Sequence, residues 1–157
     1  MAPVSACRVG KRAVEDASTR QNGVRILLAD DDLQVRGLFT RVLAQQRWEV
    51  IAVADGSAAV AAWPLCGEPF DLVILDLLMP GVNGLEAYRA LLRLHPEARF
   101  LFVSGYADVG IWQQIRDDGQ MMLLKPVTPS ALVAAVRTAL PTELALCTAP
   151  GGAGAAL

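Results

Sequence analysis

Residues Phe70–Glu86 read FDLVILDLLMPGVNGLE, a strand followed by a turn and the start of a helix. Phe70–Leu75 is an almost continuous apolar run, which is typical of a strand covered on both faces. Asp76 follows it directly, and the proline, asparagine and glycines after Asp76 predict a turn. The next segment carries apolar residues at helical spacing: Leu85, Tyr88, Leu91 and Leu92.

The same alternation of strand and helix continues on both sides of this stretch. Four more apolar runs predict strands: Val24–Ala29, Val50–Ala54, Phe100–Val103 and Met121–Leu124. Four more amphipathic segments predict helices, with these apolar faces: Val35, Leu38, Phe39, Val42 and Leu43; Ala59, Val60 and Trp63; Ile111, Trp112 and Ile115; Leu132, Val133, Val136 and Leu140. Asp32 and Thr128 are predicted N-caps. Five such units in series predict an α/β fold, with a parallel sheet covered by helices on both faces.

The chain divides into three segments of different composition. It has 157 residues, 54% of them hydrophobic, which is enough for one domain with a buried core. Residues 24–140 are the predicted folded unit, 1–23 a disordered leader, and 141–157 a flexible tail rich in alanine and glycine. No apolar run reaches the ~18 residues of a membrane span, and residues 1–23 lack the apolar core of a secretory signal. We therefore expect a cytoplasmic protein.

Charge and cysteine content exclude several classes of function. Fourteen basic and sixteen acidic residues give a net charge of −2, and the sequence contains no basic stripe. This argues against direct DNA binding. The three cysteines, Cys7, Cys66 and Cys147, are far apart, and the chain has one histidine. That excludes a Cys/His zinc site and disfavours a disulfide framework.

Polar residues stand where four of the predicted strands end. Asp30 and Asp31 follow the first strand, Asp76 the third, Ser104 the fourth and Lys125 the fifth. Because the carboxyl ends of parallel strands share one edge of the sheet, we expect these side chains to converge. Three neighbouring carboxylates repel one another, and their pKa values rise unless a cation compensates. Mg²⁺ is the natural cation, since it prefers oxygen ligands.

A carboxylate beside such an ion can attack a phosphoryl group and become an aspartyl phosphate. Asp76 is central, so we assign it as the nucleophile. Asp31 would hold the metal directly and Asp30 through water, while Ser104 and Lys125 would neutralise phosphoryl oxygens. Each element has a simpler explanation: the acidic pair could only cap a helix, and Asp76 could only begin a turn. The joint pattern favours the phosphoryl site.

These residues lie in stretches that resemble the receiver domain of two-component response regulators. The matching stretches are ILLADDD (Ile26–Asp32), FDLVILDLLMPGVNGLE (Phe70–Glu86), FLFVSGYAD (Phe100–Asp108) and LLKPVTPSAL (Leu123–Leu132). The third is especially similar to receivers attached to hybrid sensor histidine kinases. The resemblance covers residues 24–140. It implies a doubly wound, flavodoxin-like sheet of five parallel strands in the order 2-1-3-4-5, flanked by five helices.

The resemblance also implies specific roles. Carried over by position, the phosphoacceptor is Asp76, the switch hydroxyl is that of Ser104, and the phosphate-binding lysine is Lys125. The implied Mg²⁺ ligands are Asp30, Asp31, Asp76 and the main-chain carbonyl of Leu78. The bond between Lys125 and Pro126 is commonly cis in the family. Met122 departs from the pattern, because the family usually has a Tyr or Phe there that moves inward on activation.

The implied function is signalling by phosphotransfer. A histidine kinase or histidine phosphotransfer protein would donate the phosphoryl group to Asp76. We therefore expect a phosphoacceptor signalling domain that catalyses only its own phosphorylation and slow self-dephosphorylation, and not an enzyme that acts on other substrates. Phosphorylation would alter the face formed by the fourth helix, fifth strand and fifth helix. Since little chain follows Leu140, we expect a single-domain regulator that docks to a downstream effector. Trp112 is either an anchor on that face or part of the core, and homodimerisation through the face is an alternative.

Two other functions use the same residues. An aspartate-nucleophile phosphatase resembling the haloacid dehalogenases would also employ Asp76 and Mg²⁺. Such enzymes place an aspartate two residues after the nucleophile, where this chain has Leu78, and they need a cap that no insertion here could form. A pseudo-receiver that folds but is never phosphorylated is disfavoured by the intact acidic pair, Asp76 and Lys125.

Overall fold

A computed structural model describes residues 23–63, 69–105, 109–142 and 144 of the chain. Strands and helices alternate along it without exception in these ranges. The strands are β1 (Arg25–Ala29), β2 (Glu49–Val53), β3 (Leu72–Asp76), β4 (Phe100–Ser104) and β5 (Met121–Leu124). The helices are α1 (Leu33–Ala44), α2 (Gly56–Ala62), α3 (Gly84–Leu94), α4 (Val109–Asp117) and α5 (Pro129–Ala139).

The five strands form one parallel sheet in the order β2-β1-β3-β4-β5. This confirms the predicted fold class. The chain runs from β1 outward to β2, returns to the other side of β1 as β3, and then continues outward through β4 and β5. The strand order therefore reverses between β1 and β3, and ligands of such sheets bind outside the carboxyl ends at this point.

The sheet separates two hydrophobic layers. Side chains alternate across each strand, so Ile26 and Leu28 of β1 face α1 and α5, whereas Leu27 and Ala29 face α2, α3 and α4. β3 and β4 are buried at every position. The edge strands β2 and β5 have no fully buried position, so the expectation of strands covered on both faces holds for the centre of the sheet and fails at both edges.

Two details of the packing differ from the predictions. The strand expected at Phe70 begins at Leu72, because pairing with β1 starts at the Ile26–Leu72 register. Phe70 instead packs edge-on against Trp63, with ring centroids 5.3 Å apart. Leu38, predicted on the core face of α1, is 39% exposed. It lies at the margin of a helix face whose centre is formed by Phe39, Val42 and Leu43.

Four of the described helices begin at side chains that accept hydrogen bonds from the first turn, and Asp55 caps α2 in this way. Asp32 caps α1 and Thr128 caps α5, with Pro129 in the first turn of α5, as predicted. Asn83 caps α3, and Glu86 bonds back to the Asn83 amide, which completes a capping box. This cap fixes where the loop after β3 ends.

Several sequence-based expectations concern residues outside the described ranges. They include the leader up to residue 22, the tail beyond residue 144, Tyr106 and the three cysteines. Within the described ranges, no helix is both long and apolar enough to cross a membrane.

At the opposite end of the sheet from the strand-end aspartates, His95 stacks on Trp63 with ring centroids 4.3 Å apart. Burial lowers the pKa of His95, although the nearby Glu97 carboxylate acts in the opposite direction. The unfolded chain then binds a proton more readily than the folded protein. We therefore expect the free energy of unfolding to rise with pH up to the ordinary histidine pKa, and to fall as the medium is acidified through the folded pKa.

Urea unfolding at about pH 5 and about pH 8 will measure this contribution, because the two values bracket the ordinary histidine pKa of about 6.5. His95→Phe keeps an aromatic ring against Trp63 and removes the titrating group, so its stability should change less between the two pH values than that of the wild type. Equal changes in both proteins would show that other groups cause the pH dependence.

Candidate functional site

Three charged side chains from distant parts of the sequence meet at the carboxyl edge of the sheet. The Lys125 Nζ atom donates to Asp76 Oδ2 at 2.5 Å and to Asp30 Oδ2 at 3.0 Å. Asp30 follows β1, Asp76 is the last residue of β3, and Lys125 follows β5. The sequence-predicted convergence of these residues is therefore present in the fold.

A third carboxylate belongs to the same group. One carboxylate oxygen from each of Asp30, Asp31 and Asp76 can be chosen so that all three lie within 4.8 Å of one another. Asp30 and Asp76 are 1% and 4% exposed, whereas Asp31 is exposed to solvent. The cluster is thus buried on one side and open on the other.

The two buried carboxylates are held in the same way. Asp30 Oδ1 accepts a hydrogen bond from the Asp32 amide at 2.9 Å, and Asp76 Oδ1 accepts one from the Leu78 amide at 2.9 Å. In each case the second oxygen faces Lys125. The backbone after each strand therefore orients one oxygen, and the lysine compensates the charge at the other.

Burial and the neighbouring charges act in opposite directions on the pKa values of Asp30 and Lys125. Burial raises the pKa of Asp30, and the hydrogen bond and charge of Lys125 offset only part of that rise. Burial also lowers the pKa of Lys125, but its hydrogen bonds to Asp76 and Asp30 outweigh this, so the net change is upward. The lysine is therefore kept in its charged form by the carboxylates it contacts.

Ser104 is the last residue of β4 and is fully buried. Its carbonyl oxygen accepts a hydrogen bond from the Lys125 amide at 2.8 Å, so the ends of β4 and β5 are joined beside the carboxylates. The peptide bond between Lys125 and Pro126 is cis, as the resemblance implied.

A groove of about 310 Å³ opens beside the carboxylates. Its walls are Leu77, Leu78, Met79, Asn83, Leu85, Ser104, Ile111 and Trp112. Leu78 is 59% exposed, whereas Trp112 is half-buried. Among the described residues, no group accepts a hydrogen bond from the buried Trp112 Nε1 atom. Trp112 is therefore both partly exposed and a wall of this groove.

Met122 lies in β5 opposite Phe102 of β4. It is partly buried and packs against the hydrophobic layer on the side of α2, α3 and α4. The residue that replaces the usual aromatic side chain thus contacts the core on the side of the sheet that α4 covers.

The donor set of the cluster fits a magnesium ion. All three side chains offer carboxylate oxygens, which Mg²⁺ prefers, and the exposed side of the cluster leaves space for the waters that this ion retains. Asp30, Asp31 and Asp76 are the side chains that could hold it.

Two residues at the edge of the site were not identified from the sequence. The Arg36 guanidinium donates from Nη1 to the main-chain carbonyl oxygens of Asp30 at 2.6 Å and Asp31 at 3.3 Å. Gly84 packs so tightly against the Asp76 carbonyl that a Cβ atom there would lie 2.1 Å from its oxygen. The glycine itself was visible in the sequence, but neither its close approach to the Asp76 backbone nor the reach of the Arg36 side chain was.

A family model described as response regulator receiver domain matches residues 26–137. The sensor kinase CckA of Brucella abortus is 31% identical over 140 residues, which are 88% of this chain and 14% of CckA. The receiver protein CpdR of the same species is 32% identical over 87 residues, which are 55% of this chain and 71% of CpdR. The chain therefore spans only a small part of the longer of these relatives.

The fold is also similar to that of solved structures. The chemotaxis protein CheY4 of Vibrio cholerae aligns with a TM-score of 0.68 and 25% sequence identity. The alignment covers 75% of this chain and 99% of CheY4.

Proposed function

Because the chain belongs to the response regulator receiver domain family, we propose that Asp76 accepts a phosphoryl group from a phosphohistidine in a magnesium-dependent reaction. The observation that carries this proposal is the contact of one lysine with two buried carboxylates from different strands, beside a third that faces solvent. Receiver domains are signalling domains of two-component systems, and magnesium binding and aspartate phosphorylation are general features of the family.

In the proposed transfer, an Asp76 oxygen forms a bond to phosphorus while the bond from phosphorus to the donor imidazole breaks, and the electron pair stays on the imidazole. Asp30, Asp31, Asp76 and the carbonyl of Leu78 would hold Mg²⁺, which when bound neutralises charge on the transferring group. Lys125 starts within hydrogen-bond distance of Asp76, so a short movement brings its ammonium to a phosphoryl oxygen. The Ser104 hydroxyl would donate to another.

The proposal extends to how the signal leaves the site. Ser104 ends β4 and Lys125 follows β5, so both groups that would bind the new phosphoryl oxygens connect directly to the face formed by α4, β5 and α5. We infer that phosphorylation biases this face between two arrangements. A histidine kinase, a phosphotransfer protein, an effector or a second copy of the chain are the partners that would read it. Residues 24–140 would form the complete receiver unit.

The proposal is tested by intact-mass measurement of the purified chain. With Mg²⁺ and a small-molecule phosphodonor such as acetyl phosphate, the protein should gain the mass of one phosphoryl group. Chelation of the metal should abolish the gain. Failure to gain mass from either a small-molecule donor or phosphorylated histidine kinases would instead identify a pseudo-receiver.

The side chain of Leu78 leads to a prediction about the lifetime of the phosphorylated state. Leu78 is exposed and lies beside Asp76, and its side chain has no carboxylate or amide group that could orient an attacking water. We expect slow self-dephosphorylation, and we expect Leu78→Asn to accelerate it at least about tenfold by positioning the water. Tyr106, the second such position in the sequence, lies outside the described residues.

Loss of the phosphorylated mass with time measures this rate. Leu33→Asn is the matched control, since Leu33 is also exposed and lies next to the acidic loop. An unchanged rate in Leu78→Asn, or equal acceleration by both substitutions, would contradict the prediction.

A further inference from the structure

We propose that Arg36 is a positioning residue for the magnesium site, because its guanidinium holds the backbone of the acidic loop that follows β1. The loop consists of Asp30, Asp31 and Asp32, and Arg36 lies in α1 directly after it. This inference rests on the proposed function, since it concerns the same metal site.

The contacts of Arg36 are to main-chain oxygens and not to carboxylates. Its Nη1 atom lies 2.6 Å from the Asp30 carbonyl oxygen and 3.3 Å from the Asp31 carbonyl oxygen. Hydrogen bonds from a charged donor are shorter and stronger than neutral ones. One side chain thus restrains two consecutive peptide groups, and those two residues carry two of the three clustered carboxylates.

Helix geometry explains how Arg36 reaches the loop. Side chains of an α-helix point toward its N-terminus, and Arg36 is the fourth residue of α1. Its long side chain therefore runs back over the first turn to the loop. A positive charge near a helix N-terminus opposes the helix dipole, so the dipole does not account for an arginine here. The two carbonyl oxygens do.

The acidic loop needs such a restraint because its two clustered carboxylates, those of Asp30 and Asp31, are held to different degrees. Asp30 is fixed by the Asp32 amide and by Lys125. Asp31 is exposed, and the hydrogen bond from Arg36 acts on its carbonyl. With both carbonyl oxygens directed to Arg36, the carboxylates of Asp30 and Asp31 remain within reach of Asp76.

Positioning and simple charge repulsion predict opposite signs for the same substitution. If Arg36 acted only as a nearby positive charge, its removal would strengthen Mg²⁺ binding. If it positions the loop, its removal weakens binding, and loss of a residue that orients metal ligands typically costs 10- to 100-fold in affinity. We expect Arg36→Met to weaken Mg²⁺ binding about tenfold.

Calorimetric titration of the full chain with Mg²⁺ alone tests this expectation. Arg41→Met is the matched control, because it removes the same charge from the same helix five residues further on, and its affinity should stay within about twofold of the wild type. Arg36→Lys keeps the charge and a donor of different reach, so its affinity should lie between those of the wild type and Arg36→Met. Amide hydrogen exchange of residues 30–32 in metal-free protein should be faster in Arg36→Met.

Unchanged or tighter Mg²⁺ binding by Arg36→Met, or equal weakening by Arg41→Met, would overturn the role of Arg36. If Arg36→Met does not fold, Arg36→Gln, which also removes the charge but keeps a polar side chain, tests the role of Arg36 by the same criteria. Absence of Mg²⁺ binding by the wild type would overturn the proposed function itself, so the two failures are distinguishable.

Discussion

The Asp76→Asn protein should gain no phosphoryl group under conditions that phosphorylate the wild type completely. The substitution replaces a carboxylate oxygen nucleophile by an amide, which does not attack phosphorus. The asparagine carbonyl can still accept the hydrogen bond that Asp76 Oδ1 receives from the Leu78 amide. We therefore expect loss of the reaction with the fold retained.

Intact-mass measurement after incubation with Mg²⁺ and acetyl phosphate provides the comparison, and circular dichroism verifies the fold. Asp117→Asn is the matched control, since Asp117 is an exposed aspartate at the end of α4. It should be phosphorylated like the wild type. Phosphorylation of Asp76→Asn at the wild-type rate would assign the phosphoacceptor to another residue.

The second large effect concerns Gly84, the first residue of α3. A Cβ atom there would lie 2.1 Å from the Asp76 carbonyl oxygen, 2.8 Å from its carbonyl carbon and 2.9 Å from Leu77 Cα. All three are backbone atoms, so no side chain can rotate away and the segment after β3 must move. We expect Gly84→Ala to lower the free energy of unfolding by about 3 kcal/mol or more, and to slow phosphorylation because Asp76 moves with that segment.

Gly37→Ala is the control for Gly84→Ala. Gly37 lies in α1, and a Cβ atom there would meet nothing within 4 Å. Because alanine favours the helix over glycine, this substitution should raise the free energy of unfolding by about 0.5–1 kcal/mol. Urea unfolding of both variants measures the contrast. Similar stabilities for the two would contradict the close approach of Gly84 to the Asp76 backbone.

The order of elements was predictable because each central strand is a continuous apolar run and each helix has one apolar face. The prediction of which side chains are buried failed where a strand or a helix face is only partly covered. β2 lies at an edge of the sheet and is half exposed, and Leu38 lies at the margin of a packed face. Phe70 extends an apolar run but packs on Trp63, because strand pairing begins two residues later. Such outcomes depend on neighbours that the local pattern does not contain.

The convergence of Asp30, Asp76 and Lys125 was predictable because parallel strands place their carboxyl ends at one edge. The hydrogen bonds of Arg36 were not, since they depend on the direction of one long side chain and join it to backbone atoms. The close contact of Gly84 with Asp76 was also hidden, because a glycine that follows a turn equally suggests conformational freedom. These two interactions depend on how far a side chain extends and on how closely two backbone segments approach, and the local sequence contains neither.

The separation of the charged residues along the chain has a consequence for biosynthesis. Lys125 lies 95 residues from Asp30 and 49 from Asp76, and it enters the site only when β5 has joined the sheet. Until β5 has joined the sheet, the carboxylates of Asp30 and Asp76 therefore lack the Lys125 ammonium as a counter-charge. If Asp76 accepts a phosphoryl group as proposed, competence for that reaction should arise only after β5 has joined the sheet and brought Lys125 to the carboxylates.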